Sequence, residues 1–150
     1  MILMKRILII DDDMDMCNLL GRFLQKKGFE TDASHSGNKG IAKFKESKFD
    51  VVLCDFRLGD KEGREVLKEI KQIDPYAIVI IITGYSDIKT AVDVIKSGAF
   101  DYITKGDDND KIIPLVARAN ERVQLHKRIS QLEARVGKRY AFDSIIGKSP

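Results

Sequence analysis

The sequence has no tryptophan, and among its 150 residues it has only three prolines, two cysteines and two histidines. Cys17 and Cys54 form no CxxC pair and Cys54 sits inside an apolar run, which argues for a reduced, cytoplasmic protein rather than a disulfide scaffold. With only His35 and His126 beside them, a structural zinc site is excluded. No apolar run approaches the ~18 residues a membrane helix needs. The opening MILMKRILII lacks the long apolar stretch and small-residue cleavage site of a secretory signal. No membrane partner is expected.

What is present suits a folded domain. Hydrophobic residues make up 43% and charged residues 33%, enough to bury a core and too little polarity for wholesale disorder. The net charge of +3 is unevenly spread. Residues 1–104 carry 16 Lys/Arg against 17 Asp/Glu, a net of −1, and residues 105–150 carry 10 against 6, a net of +4. The main body is therefore no nucleic-acid binder. The basic residues of the tail alternate with apolar ones at helical spacing, as on a solvated helix face, so no direct nucleic-acid contact is expected of it either.

Apolar runs at Ile7–Ile10, Val51–Cys54 and Ile78–Ile82 are continuous rather than alternating, as in strands covered on both faces. Weaker strands are expected at Glu30–Ala33 and Phe100–Thr104. Helical patterns lie between them. Asp13 can cap a helix with Met16, Leu19, Leu20, Phe23 and Leu24 at its apolar positions, ended by Gly28. Others run from about Gly37 to Lys48 with Ile41 and Phe44 inward, from Glu62 to Ile73 before Asp74-Pro75, and from Ser86 to Ser97-Gly98. Strict alternation of strands and helices predicts an α/β fold, a doubly wound parallel sheet of five strands.

The last helix starts near Asp108–Asp110, accepts Pro114 about one turn in, and meets no strong stop before Gly137. Ile112, Leu115, Val116 and Ala119 can pack on the sheet. Leu125, Ile129, Leu132 and Val136 follow at spacings of 4, 3 and 4, a heptad-like seam that a partner helix would cover.

In such a sheet, chemistry gathers outside the carboxyl ends of the strands, where strand order reverses. The residues just past the strands are Asp11-Asp12-Asp13, Ser34, Asp55, Thr83 and Lys105. Singly, each has an ordinary explanation: a cap for Asp13, a strand residue for Thr83, a loop lysine for Lys105. Together they are costly. Two carboxylates ~5 Å apart repel by ~3 kcal/mol at an effective dielectric of 20, so the cluster calls for a cation. Oxygen ligands on a compact rim suit Mg2+, which commonly meets a phosphate, and Lys105 and Thr83 suit the phosphate oxygens.

The segments ILIIDDD, VVLCDFRLGDKEG, IIITGYSD and YITKG resemble, in order and spacing, the four signature segments of response-regulator receiver domains. The resemblance covers roughly residues 4–122 and implies a flavodoxin-like sheet of order 2-1-3-4-5 with a long C-terminal helix. It implies Asp55 as phosphoryl acceptor, Asp12 and Asp11 as acidic metal ligands with the backbone carbonyl of Arg57, and Thr83 and Lys105 as phosphoryl partners. Tyr102 would move inward with Thr83 on activation. The tail segment YAFDSIIGKSP resembles the start of the AAA+ ATPase module of sigma-54-dependent (NtrC-type) activators. On that basis residues 1–122 would be the receiver, 123–139 a helical linker able to form a coiled coil, and 140–150 the start of a truncated ATPase module. The implied partners are a sensor histidine kinase and a second copy, bound through the linker and the face of the fourth helix, fifth strand and fifth helix. A receiver is a phosphoacceptor switch rather than an enzyme. The chain departs from the family in having Gly106 where proline usually follows the lysine, and Leu58-Gly59 where Met-Pro is usual. Arg57 and Tyr85, two residues beyond Asp55 and Thr83, are placed to hinder attack by water on a phosphorylated Asp55.

The leading rival is a haloacid-dehalogenase-like phosphatase with Asp11 as nucleophile. It fits less well: Asp15 stands where Thr or Val is usual, a late acidic pair is missing, and Asp55 has no role. Gly147-Lys148-Ser149 is no phosphate loop, because Phe142 occupies the position of its first glycine. A receiver that is never phosphorylated and serves only for dimerisation is the third reading, against which the intact set Asp12, Asp55, Thr83 and Lys105 argues.

Overall fold

The computed structural model describes residues 5–84, 88–105 and 109–145, the last with backbone alone for 109–110 and 137–145. Tyr85 and Gly106 lie outside the described residues. Five strands, β1 (Arg6–Ile10), β2 (Glu30–Ser34), β3 (Val51–Asp55), β4 (Ile78–Thr83) and β5 (Asp101–Thr104), alternate with five helices, α1 (Met14–Lys26), α2 (Gly37–Glu46), α3 (Gly63–Ile73), α4 (Ile88–Lys96) and α5 (Asn109–Ile145). The strands pair in parallel in the order β2-β1-β3-β4-β5. This is the flavodoxin-like order expected.

Continuity of the apolar runs follows from two cores, one on each face of the sheet. Leu8, Ile10, Val52, Cys54, Val79 and Ile81 face α2 and α3. The alternate residues Ile7, Ile9, Val51, Leu53, Ile80 and Ile82 face α1 and α5. Each such side chain contributes roughly 1.5–3 kcal/mol by leaving water, so the central strands carry much of the stability. β2, at the sheet edge, is only partly buried, which is why its sequence signal is weak.

Local signals set the boundaries. Asp13 caps α1, its side chain accepting from the backbone N–H groups of Asp15 and Met16, and Gly28 at φ 93° lets the chain turn after the helix. The inward stripe of α1 is Cys17, Leu20, Gly21 and Leu24. Leu19, one of the apolar positions of the helical pattern, is half exposed, because it lies one 100° step off that stripe. Gly40 brings α2 against β1, where a Cβ would stand 2.5 Å from Ile10 Cδ1.

α5 is 37 residues long, about 55 Å at 1.5 Å per residue. Pro114 sits in its second turn and withholds one hydrogen bond, the one to the Asp110 carbonyl. Ile112, Leu115, Val116 and Ala119 are buried against the sheet, as expected. Further along, the helix still touches the body: His126 stacks on Tyr76 with ring centroids 3.9 Å apart, and Lys127 Nζ lies 3.0 Å from Asp50 Oδ1. Leu125, Ile129, Leu132 and Val136 are 58, 44, 53 and 66% exposed. Among the described residues no helix is long and apolar enough to cross a membrane.

Candidate functional site: an acidic rim at the carboxyl ends of the strands

β1 and β3 are adjacent, and their carboxyl ends open on the reversal point of the sheet. The chain places Asp11 and Asp12 just past β1 and Asp55 at the end of β3, and one carboxylate oxygen from each lies within 4.8 Å of the others. Asp11 and Asp55 are buried and Asp12 is exposed. β4 delivers Thr83, also buried, to the next position along the same rim. From the end of β5, Lys105 reaches across, its Nζ 3.1 Å from Asp55 Oδ2 and 3.1 Å from Asp11 Oδ2. The Lys105 backbone N–H donates to the Thr83 carbonyl at 2.6 Å, which ties the two strand ends together.

The electrostatics follow from burial. Desolvation, reinforced by the neighbouring Asp55 charge, raises the Asp11 pKa above the ordinary carboxylate value. The backbone N–H of Asp13, donating to Asp11 Oδ1 at 3.0 Å, and the Lys105 ammonium pull the other way without cancelling the rise. Burial disfavours the Lys105 ammonium, yet its hydrogen bonds to Asp55 and Asp11 outweigh that and hold its pKa above the usual lysine value. One lysine thus answers two buried carboxylates, and the cluster is left short of positive charge. Its donors are hard oxygens at close range, one of them exposed to solvent, which is the set a small divalent cation takes.

Asp11, Asp12, Asp55 and Lys105 come together in this arrangement, with Thr83 one strand along. Arg57 and Tyr102 stand at its margins. The Arg57 backbone N–H donates to Asp55 Oδ1 at 3.4 Å, and Arg57 forms an isolated antiparallel bridge with Glu62. Tyr102 is partly buried against the core on the α2–α3–α4 side. Ser34, set aside in the sequence, is buried, and its carbonyl accepts from the Asp11 backbone N–H.

Four contributors were not assigned from the sequence. Gly63, the first residue of α3, donates to the Phe56 carbonyl, and a Cβ there would stand 2.6 Å from the Asp55 carbonyl oxygen. Asp60, in the loop after β3, caps α2 by accepting from the backbone N–H groups of Gly37 and Asn38, both at 2.8 Å. Cys17 and His35 support the Asp11 backbone: Cys17 Sγ and His35 Nδ1 lie 3.4 and 3.2 Å from the Asp11 carbonyl oxygen. Burial pushes the Cys17 thiol up to about 11, with help from Asp11, so it remains a neutral packing group.

Residues 7–117 match the response regulator receiver domain family. The chain belongs to that family. It is 35% identical over 144 residues to the transcriptional regulatory protein ZraR of Escherichia coli O157:H7, covering 96% of this chain and 32% of ZraR. Among solved structures it resembles NtrX from Brucella abortus, at 31% identity and a TM-score of 0.80, covering 87% of this chain and 30% of NtrX. It also resembles the response regulator TrrA of Thermotoga maritima, solved in complex with Mg2+ and BeF, at 30% identity and a TM-score of 0.71, covering 77% of this chain and 99% of TrrA. The chain spans about a third of the length of the curated transcriptional regulator ZraR that it matches.

Proposed function

We propose that this receiver domain is a phosphorylation switch in which a sensor histidine kinase donates a phosphoryl group to Asp55. The observation that carries this reading is the Lys105 ammonium held 3.1 Å from both Asp55 and Asp11, beside a third carboxylate. A carboxylate oxygen of Asp55 forms the new bond to phosphorus, in line with the breaking P–N bond, and the electron pair of that bond leaves with the histidine ring. Lys105 and the Thr83 hydroxyl face the oxygens on which charge accumulates. Asp11, Asp12 and Asp55, with the Arg57 carbonyl, would hold Mg2+, which supplies charge neutralisation at the phosphoryl oxygens. The role is that of an acceptor that assists its own transfer, not of a free-standing enzyme, and its setting is cytoplasmic.

The phosphorylated state draws Thr83 and Tyr102 inward and reshapes the α4–β5–α5 face. Because α5 runs on past the sheet, that change biases how two copies pair through their linkers. Similarity over 144 residues, linker included, to the transcriptional regulatory protein ZraR supports the further step that the switch controls a transcriptional regulator, and the resemblance of YAFDSIIGKSP to the start of an AAA+ module makes that regulator a sigma-54-dependent activator.

The experiment is intact-mass measurement after exposure to acetyl phosphate with and without Mg2+. One added phosphoryl group is expected only with Mg2+, and none in Asp55→Asn. Loss of the adduct in Asp11→Asn with retention in Asp55→Asn would instead favour the phosphatase reading. No adduct in the parent chain under any condition would favour a dimerisation module alone.

A further inference from the structure

At the opposite end of the sheet, where α5 leaves the body, lies a groove of about 890 Å3. That volume is within the range of small-molecule sites, which bury most of a drug-sized ligand. Its walls come from four places: the start of β1, the loop after α2, the loop between α3 and β4, and α5 from Arg122 to Lys127. Phe44, Phe49, Ala77 and Val123 give it an apolar interior, and the stacked pair Tyr76 and His126 closes one side with flat rings.

Its charge is lopsided. Six Lys/Arg side chains line it against three carboxylates. Those carboxylates are partly spoken for. Asp50 accepts from the Arg6 backbone N–H and from Lys127, and Asp74 accepts from the Tyr76 backbone N–H. Lys71 donates only to the Ala77 carbonyl, at 2.9 Å, with no carboxylate within 4 Å of it among the described residues. Arg122 lies over the Phe100 ring, centroid 5.1 Å away, likewise with no carboxylate in range among the described residues. Burial, opposed by Asp74 and aided by Arg122, holds the Lys71 pKa below its ordinary value. These two cations stand at the edge of an apolar recess with no ion pair within 4 Å among the described residues, Asp74 acting on Lys71 only from farther away.

We infer that this groove binds a small organic anion with a flat apolar body, its carboxylate or phosphate meeting Lys71 and Arg122 and its body lying against the exposed ring of Tyr76. Such a ligand touches the body through the α3–β4 loop and Arg122, and the linker through Val123 and His126. It would therefore join the receiver to its linker at a point remote from Asp55. The inference does not depend on phosphorylation of Asp55.

The test is titration of the 150-residue chain with 2-naphthoate, and with the neutral 2-naphthalenemethanol, followed by backbone amide chemical shifts. Saturable shifts are expected at Lys48–Asp50, Asp74–Ala77 and Arg122–Lys127, with Asp11, Asp55 and Thr83 unmoved. Loss of the ligand charge, or Lys71→Gln or Arg122→Gln, should weaken binding about tenfold, the scale of one lost charge-assisted hydrogen bond. Arg122→Lys should retain most of the affinity. Equal binding of the alcohol, shifts confined to the face of Leu125, Ile129 and Leu132, or indifference to both Gln variants would overturn the inference. So would the absence of saturable shifts up to about 10 mM, a limit already weaker than the millimolar affinities of simple fragments.

Discussion

A Cβ on Gly63 would stand 2.6 Å from the carbonyl oxygen of Asp55, closer than real Cβ contacts come. α3 therefore begins directly against the backbone at the end of β3, and its first N–H is already committed to the Phe56 carbonyl. Gly63→Ala must push the helix start and the Asp55 backbone apart. The expected cost is about 1–3 kcal/mol, the usual range for overpacking a close contact. Urea unfolding should show a lower midpoint at unchanged slope, together with slower acquisition of phosphoryl mass at Asp55.

Asp60 joins the loop after β3 to α2 through two backbone N–H groups, and those bonds hold its pKa below the ordinary aspartate value. A depressed folded pKa means stability present above the unfolded value of 3.8 and lost as pH falls through the folded value. Asp60→Ala should cost about 1 kcal/mol at neutral pH, the typical worth of a helix cap, because the carboxylate is solvent-facing and partly screened. The gap between parent and variant in thermal unfolding should narrow as the pH is lowered below about 4, the unperturbed aspartate range.

Asp11 has the opposite sign. Its raised pKa means that the folded chain holds this proton more tightly than the unfolded chain does. That contribution is present below the unfolded pKa and is lost as pH rises through the folded one, so an ionised Asp11 weakens the metal-free fold near neutrality. A divalent cation would relieve the strain among Asp11, Asp12 and Asp55. The rise in melting temperature on adding Mg2+ should be larger at about pH 7.5 than at about pH 5, nearer the carboxylate range, where protons compete for Asp11. Asp12→Asn should shrink it at both, and an increment independent of pH and of Asp12 would refute the assignment.

The fold was readable because β1, β3 and β4 are covered on both faces and so appear as unbroken apolar runs. The edge strand β2 was fainter, since residues such as Glu30 face water there. Leu19 was not separable from the buried positions, because a helix pattern marks apolar residues without fixing the exact centre of the buried stripe. The rim was legible for a topological reason: in a parallel sheet every strand ends on the same side, so Asp11, Asp55, Thr83 and Lys105 had to share it. Asp60 and Gly63 were not legible as contributors. The first acts on Gly37, 23 residues away, and the second through a contact that exists only once α3 has docked.

The seam on α5 gives the last prediction. Leu125, Ile129, Leu132 and Val136 share one side of the helix at heptad-like spacing and remain largely exposed. Being about half exposed, these side chains each forgo only part of the roughly 1.5–3 kcal/mol that full burial contributes, and a second copy of the helix laid along them would recover it. Ile129→Asp with Leu132→Asp places charge in the middle of that seam without touching the core residues Leu115, Val116 and Ala119. Sedimentation should then show dimer dissociation at a protein concentration at least about tenfold higher than for the parent chain. Truncation after Arg122 should give a monomer. A truncated chain that still dimerises with undiminished affinity would move the interface to the α4–β5–α5 face, where Ile88, Val92 and Ile95 are also exposed.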